Sequence, residues 1–212
     1  MSDFIGFPLA GLDFYEDLEA DNSKTFWNAN KKVWESAVRD PMKALVADLE
    51  KDFGPAKIFR PYRDVRFSKD KTPYKNHQGA VVHSAPTAGW YVQIGAGGLY
   101  TGGGLYAADA AQLAALRAAI DHEVRGAELE KLLAQLVSAG YRIGGDKLAT
   151  KPKGYSIDHP RIDLLRHKSL TAGYEFGAPD WLTTPEAATR IRKAWEEIRP
   201  LVEWLSAVTA QK

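Results

Sequence analysis

The chain of 212 residues is long enough for one domain with a packed core, and its hydrophobic fraction of 45% and charged fraction of 26% are typical of globular proteins. The formal net charge of +1 excludes a protein that attracts nucleic acid over its whole surface, so any basic site must be local. The absence of cysteine excludes disulfides, thiolate metal ligands and cysteine nucleophiles.

The sequence lacks the features of a secreted or membrane-spanning protein, so we expect a cytoplasmic protein with no membrane partner. Residues 1–14 contain neither the basic region nor the long apolar region of a signal peptide. No apolar run approaches the roughly 20 residues that are needed to span a bilayer.

The first part of the chain, residues 1–55, is predicted to be helical. Asn22 or Ser23 can cap the second helix, because both side chains accept hydrogen bonds from exposed backbone N–H groups. Pro41 is expected to break or restart the helical pattern, and Gly54 is expected to end it.

The sheet is predicted within residues 56–106, where short runs rich in β-branched and aromatic residues alternate with glycine or proline. Trp90–Ile94, a glycine-rich turn and Leu99–Tyr100 together indicate an antiparallel hairpin. Helices are then expected within residues 109–139, where leucines recur on one face.

The last part of the chain is predicted to be irregular over residues 140–180, with strands near Lys147 and at Ser169–Phe176, and helical over residues 184–208. Pro200 should kink or split that last helix. Its apolar residues recur with the helical period at Ile191, Trp195, Ile198, Val202 and Leu205. Strands grouped between blocks of helix predict a single α+β domain with a mainly antiparallel sheet packed against terminal helices.

The segment Arg60–Lys75, here called the basic segment, is the strongest candidate for a site. Residues 57–77 contain seven basic and two acidic side chains, a local charge of +5. Arginine presents a planar donor fork that suits carboxylate or phosphate, and Asp64 is placed to hold one arginine. The candidate ligand-binding residues here are Arg60, Arg63, Asp64, Arg66, Ser68, Lys69, Lys71, Tyr74 and Lys75. The alternative is a solvated loop with internal Arg–Asp pairs.

A second candidate segment, Lys151–Lys168, follows later in the chain. Lys153 lies in a turn and would add a cation, and Asp158 and His159 are the acid–base candidates, because a carboxylate can fix the tautomer of a histidine. The alternatives are that Asp158 caps a short helix beginning near Pro160 and that His159 is a structural hydrogen bonder.

We predict neither a metal nor a cofactor. His77 and His83 are six residues apart, which is a poor spacing for metal ligands on one face. The glycines of Gly102–Ala107 match a dinucleotide motif, but the parallel strand–helix–strand unit that it requires is not predicted. Tight turns or close backbone packing explain these glycines more simply.

Several of these motifs together resemble the uncharacterised family catalogued as domain of unknown function 2461. The resemblance covers nearly the whole chain and is strongest over the string Arg63–Lys75. The other motifs that carry it are Phe7-Pro8, Asn22, Trp27, Asn30-Lys31, Gly102–Gly104, Pro152–Tyr155 and Asp158–Pro160. It implies a single soluble domain of bacteria and some fungi, with no established activity to transfer. Because the matching residues are mostly polar and turn-forming, they suit a site better than a core.

The sequence therefore supports a pocket for a small phosphorylated or carboxylated ligand, in a protein that is an enzyme or a binder. This hypothesis requires the basic segment and the Asp158–His159 segment to meet in space. The alternatives are a binding module for nucleic-acid backbone or an acidic protein surface, and a purely structural polar network. The near-neutral total charge disfavours nucleic acid, and the sequence assigns neither a reaction nor an oligomeric state.

Overall fold

The computed structural model describes residues 4–66 and 68–210, and it confirms the predicted α+β class. The strands are β1 (Ala56–Ile58), β2 (His77–Ala85), β3 (Ala88–Gly95), β4 (Gly98–Leu105), β5 (Arg142–Gly144) and β6 (Leu170–Gly177). They form one antiparallel sheet in the order β1-β2-β3-β4-β6-β5. Phe67 of the basic segment and Met1–Asp3 of the N-terminal segment lie outside the described residues.

The helices account for both ends of the chain. They are α1 (Ala10–Ala20), α2 (Lys24–Trp34), α3 (Asp40–Phe53), α4 (Ala110–Asp121), α5 (Glu123–Ser138), α6 (Ile162–Leu165) and α7 (Glu186–Thr209). A π-helical segment, Glu35–Arg39, joins α2 to α3, and a 3-10 turn, Asp180–Thr183, precedes α7.

The ends of the N-terminal helices follow the local rules expected from the sequence. Ser23 is the cap of α2, where its Oγ accepts a hydrogen bond from Phe26 N at 3.1 Å. Pro41 lies in the first turn of α3, directly after the π-helical segment, so the type of helix changes near Pro41 while the backbone stays helical. Gly54 ends α3 with φ 93°, a conformation that favours glycine.

Helix α7 carries the buried stripe that its periodicity predicts. Each of the five predicted apolar positions in it is fully buried. Pro200 lies inside the helix without ending it, so of the two predicted effects the split does not occur, and the kink stays a prediction.

The strands differ from expectation at two places. The predicted hairpin is confirmed as β3 and β4, but the strand expected near Lys147 is Arg142–Gly144, and Lys147 forms only an isolated bridge with His167. The glycines 102–104 lie inside β4 and make no turn. A Cβ on Gly103 would lie 2.9 Å from Ile198 Cγ2, so close packing explains that glycine.

The chain forms two compact units. The first contains the described residues up to Val82, with Tyr91–Thr101 and Glu175–Lys193, and the second contains His83–Trp90, Gly102–Tyr174 and the residues from Ala194 onward. The first unit buries Phe14, Tyr15, Leu18, Trp27, Leu45 and Leu49, and the second buries Leu116, Ile120, Leu129, Trp195 and Ile198. The single-domain organisation stays a prediction. Within residues 4–66 and 68–210, no helix combines the length and the apolar character that a bilayer crossing requires.

Candidate functional site

The basic segment is closed into a loop by an isolated antiparallel bridge between Tyr62 and Tyr74. Arg63 N donates to Pro73 O at 2.9 Å, and Lys75 N donates to Pro61 O at 2.8 Å. We call residues 63–72 the loop tip and residues 74–77 the loop base. The bridge gives the two parts different surroundings, because the base is tied to the body of the first unit.

Asn22 and Trp27 fasten the loop base. Asn22 Nδ2 donates to Tyr74 O at 3.0 Å, and Tyr74 N donates to Asn22 Oδ1 at 3.1 Å, so one side chain satisfies both backbone groups. The Tyr74 ring stacks on Trp27 with centroids 4.1 Å apart and planes 5° apart. Burial raises the pKa of Tyr74. Tyr74 is thus an anchor whose ring is covered.

The arginine at the outer end of the loop tip is paired with a carboxylate. Arg66 Nε and Nη2 donate to the two oxygens of Asp64 at 3.0 and 2.7 Å. The Arg66 side-chain hydrogen bonds hold the pKa of Asp64 below its usual value. Because 77% of the Arg66 side chain is exposed, water screens this pair and it contributes little to stability.

A second carboxylate organises the rest of the loop tip. Asp70 Oδ1 accepts from Thr72 N at 2.9 Å, and Arg63 Nη1 donates to the Asp70 carboxylate and to Thr72 Oγ1. The Thr72 backbone N–H, followed by Arg63, lowers the pKa of Asp70 to about 2. Lys71 Nζ donates to Val65 O at 2.9 Å. These contacts match the alternative of a loop with internal Arg–Asp pairs.

A groove with two cavities opens beside the loop base, and we call it the His77 groove. Both cavities are lined by Glu19, Asn76 and His77. The first, about 510 Å³, is also lined by Asn22, Arg63, Asp70, Thr72, Tyr74 and Lys75. The second, about 540 Å³, is also lined by Gln93, Gly95, Ala96, Gly97, Gly98, Leu99, Tyr100, Glu175, Phe176 and Gly177. All of these residues belong to the first unit.

Lys75 is the cation of the groove that lacks an anionic partner. Its side chain is half-buried, and Nζ lies 5.1 Å from the centroid of the Phe59 ring. Among residues 4–66 and 68–210, no carboxylate lies within ion-pair distance of Nζ. Burial, and then the charge of Arg60, lower the pKa of Lys75. Lys75 is therefore a half-buried positive charge without a direct carboxylate partner, in a groove whose lining also contains Glu19, Asp70 and Glu175.

His77 stands where the two cavities meet. Asn76 Nδ2 donates to Glu19 Oε1 at 3.3 Å, which leaves Asn76 Oδ1 toward His77 Nδ1 at 3.1 Å. Burial, and then the charge of Lys75, lower the pKa of His77 from its ordinary 6.5. The imidazole is therefore neutral at neutral pH.

The floor of the second cavity is an aromatic and polar face of the sheet. Tyr91 Oη donates to Gln93 Oε1 at 2.8 Å, which fixes the amide of Gln93. A Cβ on Gly79 would lie 2.4 Å from Tyr91 Oη, so the glycine leaves room for the tyrosine ring. Burial, and then the charge of Glu175, raise the pKa of Tyr100. The second cavity thus offers hydrogen-bonding groups, and no lysine or arginine is among its described lining residues.

The predicted acid–base pair has a different arrangement, within the second unit. His159 Nε2 lies 2.9 Å from Asp121 Oδ1, and His159 Nδ1 accepts from Arg161 N at 3.0 Å. Both ring nitrogens are therefore engaged, and the carboxylate that orients the ring is Asp121 rather than the neighbouring Asp158. Helix α6 begins at Ile162 with Arg161 as its N-cap and without a side-chain cap, so the alternative that Asp158 caps this helix is wrong.

The structure sorts the predicted site residues into three groups. Arg63, Tyr74 and Lys75 line the His77 groove. Arg60, Asp64, Arg66, Ser68, Lys69 and Lys71 are not among its described lining residues. Lys153, Asp158 and His159 belong to the second unit, where Lys153 is an exposed residue of a turn. The functional roles of all three groups stay predictions.

The central residues of the groove, Glu19, Asn76 and His77, were missed by the sequence reasoning. One signal was present: His77 is the first residue of β2 and follows Lys75 by two positions, so its side chain is placed near the end of the basic segment. Glu19 is 57 positions away from Asn76, and its contribution follows only from the packing of α1.

One family model matches the part of the chain that contains the groove. The model of a family described as a conserved hypothetical protein (DUF2461) matches residues 10–204. The matched range includes all residues that line the two cavities. The comparison with curated proteins finds no match.

Proposed function

The chain belongs to the DUF2461 family of conserved hypothetical proteins, and we propose that it binds a small phosphorylated or carboxylated ligand in the His77 groove. Lys75 would neutralise the anionic group, and the hydrogen-bonding groups of the second cavity would hold the rest of the ligand. The proposal narrows the predicted anion site from the whole basic segment to its base.

The observation that carries the proposal is the uncompensated charge of Lys75. Burying part of an ammonium group without a carboxylate partner costs free energy, and burial accordingly lowers the pKa of Lys75. A bound anion would offset that free-energy cost, because the attraction between opposite charges strengthens as water is excluded. The arginines of the loop tip, Arg63 and Arg66, already have carboxylate partners, and its lysines, Lys69 and Lys71, are exposed to water.

The alternatives are less well supported by this geometry. A nucleic-acid surface would need exposed aromatic rings between free cations. Tyr62 is 49% exposed, but Tyr74 is 4% exposed and stacked on Trp27, and Arg63 and Arg66 are paired with carboxylates. The structural polar network describes the loop tip well, yet it gives no role to the half-buried Lys75.

The proposal also carries predictions about the cellular setting. A cytoplasmic location and a bacterial origin remain predictions, and the lack of cysteine supports the first of them.

A thermal-shift screen tests the proposal. The protein is heated with inorganic phosphate, sulfate, citrate and a panel of phosphorylated and carboxylated metabolites. A ligand at 100 times its Kd stabilises the folded state by about 2.7 kcal/mol. We expect Lys75→Met to abolish the stabilisation and Lys69→Met, an exposed lysine of the loop tip, to retain it. Equal responses of the two variants, or a panel with no stabilising anion, would overturn the proposal.

A further inference from the structure

The surroundings of His77 decide which of its nitrogens carries the proton. Asn76 Nδ2 donates to Glu19, so the Asn76 oxygen faces the imidazole and can only accept. His77 Nδ1 must therefore carry the hydrogen, which leaves a lone pair on Nε2. Among residues 4–66 and 68–210, no hydrogen-bond partner is present for Nε2. The ring thus presents a neutral nitrogen acceptor at the junction of the two cavities.

A contrast with His159 shows that this arrangement is specific. His159 Nδ1 accepts from the Arg161 backbone N–H, so its Nε2 carries the hydrogen that bonds to Asp121. The lone pair on His159 Nδ1 therefore already accepts a hydrogen bond from the protein backbone. His77 has the opposite tautomer, and its lone pair is directed away from the Asn76 contact.

The charged groups around His77 come from several elements. Lys75 precedes it by two residues and lowers its pKa, and Glu19 of α1 acts on the Nδ1 side through Asn76. Arg63 and Asp70 of the loop tip, which both line the first cavity, form an ion pair. In the second cavity the titratable groups besides His77 are Glu19, Tyr100 and Glu175. Lys75 is thus the nearest charge that a bound anion can offset.

We propose that His77 is a second anion-binding group, which takes up a proton from water at Nε2 as the anion binds beside Lys75. The imidazolium then donates its Nε2–H to the ligand, while its Nδ1–H remains hydrogen-bonded to Asn76 Oδ1. Two positive charges suit a dianion, so the preferred ligand class is a phosphate monoester rather than a monocarboxylate. This inference rests on the proposed anion site at Lys75. It adds that the ligand is a dianion and that its binding depends on pH.

The tautomer is tested first, without any ligand. Long-range ¹H–¹⁵N correlation spectra of the ¹⁵N-labelled protein distinguish a protonated from an unprotonated ring nitrogen. We expect the Nδ1–H form for His77, and we expect Asn76→Ala to remove that preference. Lys75→Met should raise the pKa of His77, whereas Lys57→Met, an exposed lysine of β1, should leave it unchanged. An Nε2–H form in the wild type would overturn the inference and leave the proposed function standing.

Coupling between proton uptake and binding is tested with sulfate and methanesulfonate, whose charges of −2 and −1 do not change between pH 5 and 8. Each unit by which sulfate raises the His77 pKa makes binding to the protonated form about tenfold tighter. We therefore expect the sulfate Kd to rise as the pH rises, with a smaller change for methanesulfonate. His77→Gln should remove the pH dependence, and His83→Gln, a histidine of the second unit, should retain it.

The outcomes separate the two proposals. Sulfate binding that requires Lys75 but has the same affinity at pH 5.5 and 8 would overturn the role of His77 alone. Equal pH dependence for the two anions would overturn the preference for a dianion. Failure of sulfate to bind at any pH would contradict the anion site at Lys75, and the inference about His77 would fall with it.

Discussion

The loop tip and the loop base differ in how their charges are compensated, although they are adjacent in sequence. In the tip, Arg66 is paired with Asp64, and Arg63 is paired with Asp70. In the base, Lys75 and His77 are half-buried in a groove, and the described residues place no carboxylate against Lys75. The difference teaches that the density of basic residues does not locate an anion site. We propose that a half-buried cation without a carboxylate within ion-pair distance, such as Lys75, does.

The anchors of the two parts also differ. The base is held by Asn22, from the connection between α1 and α2, through its hydrogen bonds, and by Trp27 of α2 through the ring stack. The tip is held mainly by contacts within itself, such as those of Asp70 with Thr72 and of Lys71 with Val65. We therefore expect mutations at the base to affect the whole first unit and mutations at the tip to stay local.

Removing the Trp27 ring should have the largest effect. Trp27 is 2% exposed and contacts Phe14, Trp34 and Tyr74, so Trp27→Ala leaves a large cavity under the loop base. We expect a loss of about 3–5 kcal/mol in the free energy of unfolding, measured by urea denaturation. Trp27→Phe keeps a ring at this position and should cost less. A loss below about 1 kcal/mol for the alanine variant would contradict the anchoring role.

Removing the Asn22 amide should have the next largest effect. Asn22→Ala leaves both the N–H and the C=O of buried Tyr74 without their partner, and an unsatisfied buried group costs about 1–3 kcal/mol. Urea denaturation should show a loss in that range. The control is Asn28→Ala on the exposed side of α2, which should leave the unfolding free energy nearly unchanged. Equal losses for the two variants would show that the Asn22 hydrogen bonds to Tyr74 do not account for the lost stability.

As the pH falls, the loop base should be destabilised before the loop tip. The pKa of His77 is lowered, as is that of His167, so the unfolded state binds more protons once the pH falls below the ordinary 6.5. Each histidine lowers stability by at most about 1.4 kcal/mol per pH unit in that window. The lowered pKa values of Asp64 and Asp70 also make stability fall with falling pH, but in a more acidic window. Their contribution is present above 3.8 and is lost as the pH falls further.

The pH dependence is measured by urea denaturation at pH 7.5, 6.5 and 5.5. We expect stability to fall over this range, and we expect His77→Gln to reduce the slope. Asp70→Asn, a tip variant, should leave the slope over the same range as it is in the wild type. A steeper loss for the tip variant would contradict the assignment of acid sensitivity to the base.

Removing the outer arginine of the tip should have the smallest effect. Arg66→Ala breaks the bidentate pair with Asp64, but the pair is exposed and screened by water. We expect the urea midpoint and the thermal midpoint to match the wild type within measurement error. A clear loss of stability would show that the tip supports the fold of the first unit.

The fold was largely predictable because its signals are local. The buried stripe of α7, the Ser23 cap and the β3–β4 hairpin each follow from residues that are close in sequence. Where local signals left alternatives open, tertiary packing decided between them. The sequence allowed either a tight turn or close packing at Gly103, and the structure has Gly103 inside β4 with Ile198 packed against it.

The candidate site was predictable only in part, because pairing is a tertiary property. The sequence predicted an anion site in the basic segment, and three of the predicted residues, Arg63, Tyr74 and Lys75, line the groove. It could not show that Asp64 and Asp70 compensate the arginines while Lys75 is left without a partner. His159 similarly takes its partner from Asp121, 38 positions away, rather than from its neighbour Asp158.

A sulfate titration followed by backbone ¹H–¹⁵N spectra tests the central claim most directly, because it reports on the tip and the base in one experiment. At pH 6, we predict saturable shift changes that are largest at the amides of Lys75, Asn76 and His77 and small at Arg66, Lys69 and Lys71. Lys75→Met should remove the changes at the base. Larger changes along the tip than at the base would contradict the account, as would changes that do not saturate.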